Sequence, residues 1–183
     1  NSKSDVLAVG SYLSNEDRDK INIKEKNNIT YTMLNYTYGT NGIKVPTGKD
    51  YLVNVWPCTG NDPSTDTKYQ EYKNKVKEDI NRVRDKVDLL IVAMHWGVEY
   101  THTPTSYQID MANFLEKQGV DIIIGTHPHV VMPVTYINDT LVIYSLGNFL
   151  SAQETNIDYN TTVGLLSTVK ITKHIDKDNN TSI

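Results

Sequence analysis

The tightest constraint on the fold lies between residues 88 and 124. Asp88-Leu89-Leu90-Ile91-Val92-Ala93-Met94 is a near-continuous apolar run, as expected of a strand buried on both faces. Thr105 to Gln118 predicts a helix with Met111, Ala112, Phe114 and Leu115 as its apolar contacts, and Gly119 is placed to end it. Val120 to Ile124 reads as a second buried strand that stops at Gly125. Strand, helix, strand in this order is a βαβ unit, which implies a parallel sheet with ligand sites at the carboxyl ends of its strands. His95 and His127 both fall at such ends.

Other elements attach to this unit. From Asp66 to Lys86 the residues Tyr69, Tyr72, Val76, Ile80 and Val83 recur at spacings of three and four, which predicts an amphipathic helix with a solvated charged face. Ile21 to Lys26 and Ile29 to Tyr36 flank Asn27-Asn28 and predict a hairpin, as do Val130 to Tyr136 and Leu141 to Leu146 around Asn138-Asp139. Val6 to Gly10, Tyr51 to Trp56 and Thr162 to Ile171 are further strand candidates. Residues 57 to 67 form a surface connection, and the polar tail from Asp176 to Ile183 is expected to fray.

The 183 residues, 38% hydrophobic and 22% charged, are in the range of one domain spanning 1–183, without repeats or a linker. A formal charge of -4 and the lack of any long basic block give no reason to expect nucleic acid as a partner. A polyanionic substrate would need a local cationic centre. The single cysteine, Cys58, excludes an intrachain disulfide framework and a multi-cysteine metal cluster, and is read as a small packing residue. No apolar run approaches the roughly 18 residues of a membrane span, and the first residues lack a signal-peptide layout. The chain begins at Asn1, so this says little about an anchor in the parent protein.

Three histidines carry the chemistry: His95 in Met94-His95-Trp96-Gly97-Val98-Glu99, then His127 and His129 in Gly125-Thr126-His127-Pro128-His129. One histidine after a strand is commonly a hydrogen-bonded structural residue. The pair is more specific, because Pro128 favours an extended His127, and residues i and i+2 of an extended chain point to one side. Two neutral imidazoles aimed at one point suit a divalent metal, Mn, Zn or Fe. Gly97 and Gly125 allow sharp turns and close backbone approach beside such a centre, or are ordinary turn residues. Glu99 is open to several roles: hydrogen-bond acceptor for a ligand imidazole, weak metal ligand, substrate contact or plain surface acid. Asn148 reads as a substrate contact, a residue that orients the histidine loop, or a turn residue after Gly147. His102, His174, Trp56 and Trp96 are assigned no chemical role, and the Asn-X-Ser/Thr triplets are expected by chance in an Asn-rich chain.

His95-Trp96-Gly97-Val98-Glu99-Tyr100, Gly125-Thr126-His127-Pro128-His129-Val130 and Tyr144-Ser145-Leu146-Gly147-Asn148-Phe149 resemble three successive motifs of the CapA-like poly-gamma-glutamate capsule biosynthesis family. Tyr36-Thr37-Tyr38-Gly39-Thr40-Asn41-Gly42 resembles the segment that precedes them, and the likeness runs from about Gly10 to about Val169. The resemblance implies an α/β fold, a calcineurin-like metallophosphatase β sandwich flanked by helices, of which this chain lacks the N-terminal part. It implies His95, His127 and His129 as metal ligands, with Glu99 and Asn148 as catalytic residues. The family's aspartate-bearing motif and Asn-Asn-His segment have no match in residues 1 to 60, so the ligand set is one-sided and the fragment catalytically incomplete. Three histidines alone cannot bridge two cations.

For the parent protein the resemblance implies a metal-dependent hydrolase or transferase acting in synthesis, export or anchoring of poly-gamma-glutamate. Its partners would be that polymer or another anionic polymer or phosphoester, together with other capsule-synthesis membrane proteins. The site would be extracytoplasmic and the parent membrane-anchored by a segment absent here. The alternative is a non-catalytic assembly scaffold on the same fold.

Overall fold

The computed structural model describes residues 7–57, 62–153, 159–178 and 181–183. Cys58 lies outside them. The described chain is a mixed α/β arrangement: α1 (Asn15–Asp19), β1 (Lys24–Lys26), β2 (Ile29–Thr37), α2 (Thr67–Val83), β3 (Leu89–His95), α3 (Ser106–Lys117), β4 (Ile122–Thr126), β5 (Val134–Ile137), β6 (Thr140–Ile143), β7 (His174–Ile175) and β8 (Thr181–Ser182).

Six strands form one sheet in the order β1-β2-β3-β4-β6-β5. The four central strands are parallel, and the two hairpins supply the antiparallel edges. Asn27 and Asn28 both take positive φ, the conformation a two-residue hairpin turn needs, and Asn tolerates it best after glycine. Register aligns the strand ends: Thr37 pairs with His95 and His95 with Thr126. The carboxyl ends of β2, β3 and β4 therefore form one rim.

Both long helices start from side-chain caps. The Asp66 carboxylate accepts from the Tyr69 amide at the start of α2. Thr105 and Gln108 form a reciprocal capping box on α3. The apolar stripe of α2 (Tyr69, Val76, Ile80, Val83) and that of α3 (Met111, Ala112, Leu115) join Leu90, Val92, Met94, Ile123 and Val142 of the sheet in one buried cluster. The period-3.6 stripes and the alternate residues of the strands thus meet on one face of the sheet.

On the other face Leu89, Ile122, Leu141 and Ile143 form a smaller cluster, flanked by an apolar trough of about 820 Å³. Residues 164–171 run along this trough, and Lys173 pins their end by an ion pair to Asp88 at 2.7 Å. The helix-flanked mixed sheet is the α/β architecture expected, consistent with a fragment of a metallophosphatase-like fold. Among the described residues no helix is long and apolar enough to cross a membrane.

Three strand expectations are corrected. Residues 7–10 carry no strand, and Tyr51 to Trp56 is a 3-10 turn (Asp50–Leu52) followed by isolated bridges at Val53 and Val55. Thr162 to Ile171 makes a single bridge, Gly164 to Gly147, with the Leu165 amide on the Leu146 carbonyl. Alternating apolar residues can earn burial on any surface, but a strand also needs a neighbour for its amides and carbonyls.

Candidate metal centre

The rim at the ends of β2, β3 and β4 gathers the predicted site. Main-chain bonds tie its loops together: the Tyr38 amide donates to the His95 carbonyl at 2.9 Å, the Trp96 amide to the Thr126 carbonyl at 3.1 Å, and the Tyr100 amide to the Pro128 carbonyl at 2.8 Å. Each loop is thus fixed to its neighbour beyond the last ladder pair.

Two glycines make this closeness possible. A Cβ on Gly125 would lie 2.0 Å from the Tyr144 carbonyl oxygen, and Gly97 has φ +89 with the buried Gln108 amide against its missing side chain. Trp96 is fully buried and its indole N–H donates to that same Tyr144 carbonyl at 2.9 Å, so both tryptophans, Trp56 included, are packing residues.

The histidine rings converge. His95 and His127 have ring centroids 4.6 Å apart, and His127 and His129 5.9 Å. Their route differs from the expectation of an extended His127: its φ is +99 and that of His129 is +60. Pro128 restricts the residue before it, but the bond of Tyr100 to the Pro128 carbonyl holds the loop in a turn that an isolated extended chain would not take. Positive φ at two non-glycine residues on either side of Pro128 is strained, and such strain persists where surrounding contacts enforce it.

Among the described residues, Glu99, His127 and His129 form the group whose potential ligand atoms all lie within 4.8 Å of one another. His129 Nε2 is 3.7 Å from a Glu99 carboxylate oxygen. His95 adjoins this trio through the His127 ring and bonds to the Thr126 hydroxyl at 3.4 Å. Glu99 is thus drawn from the undecided position it had in the sequence to the centre of the site. Two imidazoles and a carboxylate suit one divalent cation of the Mn, Fe or Zn type. They do not suit a pair of cations, since no carboxylate lies between two such clusters among the described residues.

Burial holds the His95 and His127 imidazoles below their ordinary value of 6.5; His129 adds to the effect at His95, and His95 adds to it at His127, where Glu99 opposes. Both rings are therefore neutral at pH 7, with lone pairs available. The linkage has a definite sign: the unfolded chain takes up protons at these residues near pH 6.5, the folded chain only at lower pH. The metal-free protein is expected to lose stability as pH falls from about 7 through 6.5 and below, before the carboxylates titrate. Urea melts across this window test it, with His95→Asn/His127→Asn as the variant in which the slope flattens; an equally steep slope in that variant would contradict the assignment.

Asn148 sits beside His129, its side-chain oxygen 2.8 Å from His129 Nδ1. Tyr38 was legible only as part of a motif, yet it lies against two of the histidines: its ring stacks on His95 at 5.6 Å and meets His127 at 4.5 Å. Tyr100 stacks on His129 at 6.0 Å. These aromatic walls depend on strand pairing between distant segments, for which a single sequence holds no local sign. His102 bonds through Nδ1 to the Val131 carbonyl, outside the group.

A family model for bacterial capsule synthesis proteins, PGA_cap, matches residues 2–153, most of the chain. The chain belongs to this family. It is 40% identical over 74 residues to the PGA biosynthesis protein CapA of Bacillus subtilis (strain 168), a stretch that covers 40% of this chain and 20% of that protein. It is 39% identical over 70 residues to the capsule biosynthesis protein CapA of Bacillus anthracis, covering 38% of this chain and 17% of that one. The aligned part is thus about a fifth of these relatives' length, and the motif likeness to a capsule-synthesis family is the one read from the residues.

Proposed function

We propose that this chain carries the histidine side of a single-cation, hydrolase-type centre in a protein of poly-gamma-glutamate capsule synthesis, export or anchoring. The observation that carries the reading is the convergence of Glu99, His127 and His129 at the carboxyl rim of a parallel sheet. His127 and His129 would hold a divalent cation with Glu99, and His95 would join them or hold the rim from behind. A cation bound there supplies Lewis acidity and a favourable potential for an anionic substrate. That local charge is what an acidic protein needs if it is to meet a polyanion such as poly-gamma-glutamate or a phosphoester.

The residues divide the remaining work. Burial keeps His95 and His127 uncharged, so they act as donors of lone pairs and not as general acids at neutral pH. Tyr38 and Tyr100 wall the site against bulk water on two sides. A partner segment supplying a bridging carboxylate would be required before a two-cation reaction could run. The site is expected to face the outside of the cell, with other capsule-synthesis membrane proteins as partners.

Equilibrium dialysis of this chain against Mn²⁺ and Zn²⁺ tests the reading. One saturable equivalent is expected, with affinity lowered at least about 100-fold in His127→Ala, more than loss of a residue that only hydrogen-bonds to a ligand costs. No saturable uptake by the folded chain overturns it. In the parent protein, phosphodiester turnover that disappears in His127→Ala marks a hydrolase, whereas polymer binding without turnover marks an assembly scaffold.

A further inference from the structure

The contacts around Asn148 settle more than its proximity to His129. Its Nδ2 group donates to the Thr161 main-chain carbonyl at 3.0 Å and to the Gln153 side-chain oxygen at 3.0 Å. A main-chain carbonyl only accepts, so the amide cannot be turned the other way without placing two oxygens in contact. Gln153 is fixed in turn, since the Asn148 donor needs its oxygen; its Nε2 then donates to the Tyr100 hydroxyl at 3.2 Å, and the Tyr100 ring stacks on His129. The Asn148 oxygen is therefore the atom that faces His129 Nδ1 at 2.8 Å, and an oxygen with no hydrogen there requires a donor. At the opposite side of the ring, Nε2 lies 3.7 Å from Glu99, too far for a hydrogen bond. Among the described residues no hydrogen bond holds a proton on Nε2.

We infer that Asn148, clamped by Thr161 and Gln153, is a positioning residue that holds His129 as its Nδ1–H tautomer and aims the bare Nε2 at the Glu99 and His127 side. The tautomer follows from the hydrogen bonds alone; its use in holding a cation rests on the reading proposed above. A free imidazole favours the proton on Nε2, which would turn a donor and not a lone pair toward the group. Gln153 thereby gains a role that neither its position nor its type suggests: it closes a ring of contacts from Tyr100 through Asn148 back to His129. Neutral-imidazole ligands elsewhere are held in this way by a partner on the second nitrogen.

Long-range ¹H–¹⁵N correlation of the metal-free chain, at a pH where the imidazoles are neutral, reads the tautomer directly. His129 is expected to show a protonated-type Nδ1 and a bare-type Nε2, and Asn148→Leu to shift it toward the Nε2–H form. Zn²⁺ affinity is expected to fall about 10-fold to 100-fold in the same variant. Gln153→Leu is a milder break that leaves the Thr161 bond, and Gln153→Glu, which still accepts from Asn148, is expected to keep the wild-type spectrum. An Nε2–H tautomer in the wild-type protein overturns the inference, whether or not the chain binds metal. Failure of metal uptake with the Nδ1–H tautomer intact overturns the proposed function and leaves the tautomer assignment standing. If Asn148→Leu does not fold, the comparison of Gln153→Leu with Gln153→Glu decides for Gln153: a partial shift toward the Nε2–H form is expected in the first only, and identical spectra in the two overturn the role assigned to Gln153.

Discussion

Gly125→Ala is expected to destabilise the fold by more than about 3 kcal/mol, which for a chain of this size lowers the melting midpoint by roughly 6–12 °C. The new Cβ would sit 2.0 Å from the Tyr144 carbonyl oxygen, 2.6 Å from its carbon and 2.5 Å from the Trp96 indole nitrogen. None of these can retreat cheaply. The Tyr144 peptide is held by its amide on the Pro133 carbonyl, and the Leu146 amide is held on the Gly125 carbonyl. Trp96 is fully buried and bonded to Tyr144. Overpacking of a rigid core usually costs about 1–3 kcal/mol, and a clash with the Tyr144 backbone and a fully buried indole lies at or beyond the top of that range. His127 follows two residues later, so the variant is expected to lose the rim geometry as well as stability. Gly39→Ala is the control, because nothing lies within 4 Å of its added Cβ and a change within about 0.5 kcal/mol is expected. A Gly125→Ala protein as stable as wild type would mean that the β4 rim is not packed as described.

Much of this fold was legible because its signals are local. The helix predicted from Asp66 to Lys86 is α2 plus a closing 3-10 turn, and that from Thr105 to Gln118 is α3 with its two caps. In both, a capping side chain and a period-3.6 stripe lie within one segment and need no partner to be read. The two hairpins were equally local, each turning on an Asn pair or Asn-Asp. The strands at 51–56 and 162–171 failed for the opposite reason. Their apolar alternation is real, and Leu165 and Ile171 do line the trough, but a ladder needs a neighbour that composition does not announce.

The site divides along the same line. His95, His127 and His129 were singled out as candidates from their place after buried strands, and Glu99 and Asn148 from their motifs. What the sequence withheld was how they meet. The positive φ of His127 accompanies a bond between Tyr100 and Pro128, the Tyr38 contact follows from parallel pairing of β2 with β3, and the Gln153 contact reaches Tyr100, 53 positions away. Each depends on segments that approach only once the sheet has formed.

Asp79→Ala is the other substitution expected to be severe, at roughly 3 kcal/mol. Asp79 lies on α2 and is buried, with its carboxylate bonded to the Arg18 guanidinium at 2.8 Å, to Arg82, and to the Tyr36 hydroxyl at 3.1 Å. Arg18 lies in the last turn of α1 and also donates to Asn54 at 2.9 Å, so one carboxylate ties α1, α2, the end of β2 and the 50–55 connection. Burial first, and then the Asp79 charge, push the Tyr36 hydroxyl well above its ordinary value, which keeps it a donor at any accessible pH. Deleting the carboxylate leaves that hydroxyl without this acceptor and the nearly buried Arg18 charge with only the more exposed Asp19 at 3.2 Å and the neutral Asn54 oxygen, and an uncompensated buried charge costs about 3–5 kcal/mol. The low end applies, since Arg82 is 39% exposed and can turn to water or keep its bond to Asp19 at 2.9 Å. The net worth of the intact network is smaller than the cost of breaking it, because both charges gave up water to form it. Arg18→Met/Asp79→Leu is therefore expected to regain most of the loss in a urea melt, and Asp79→Ala alone to regain none of it. If the double variant is as unstable as the single one, the network contributes through specific bonds and not through avoidance of a stranded charge. Tyr36 stands two residues before Tyr38, so in either case the position of the aromatic wall over His95 and His127 is set partly from the buried face of α2.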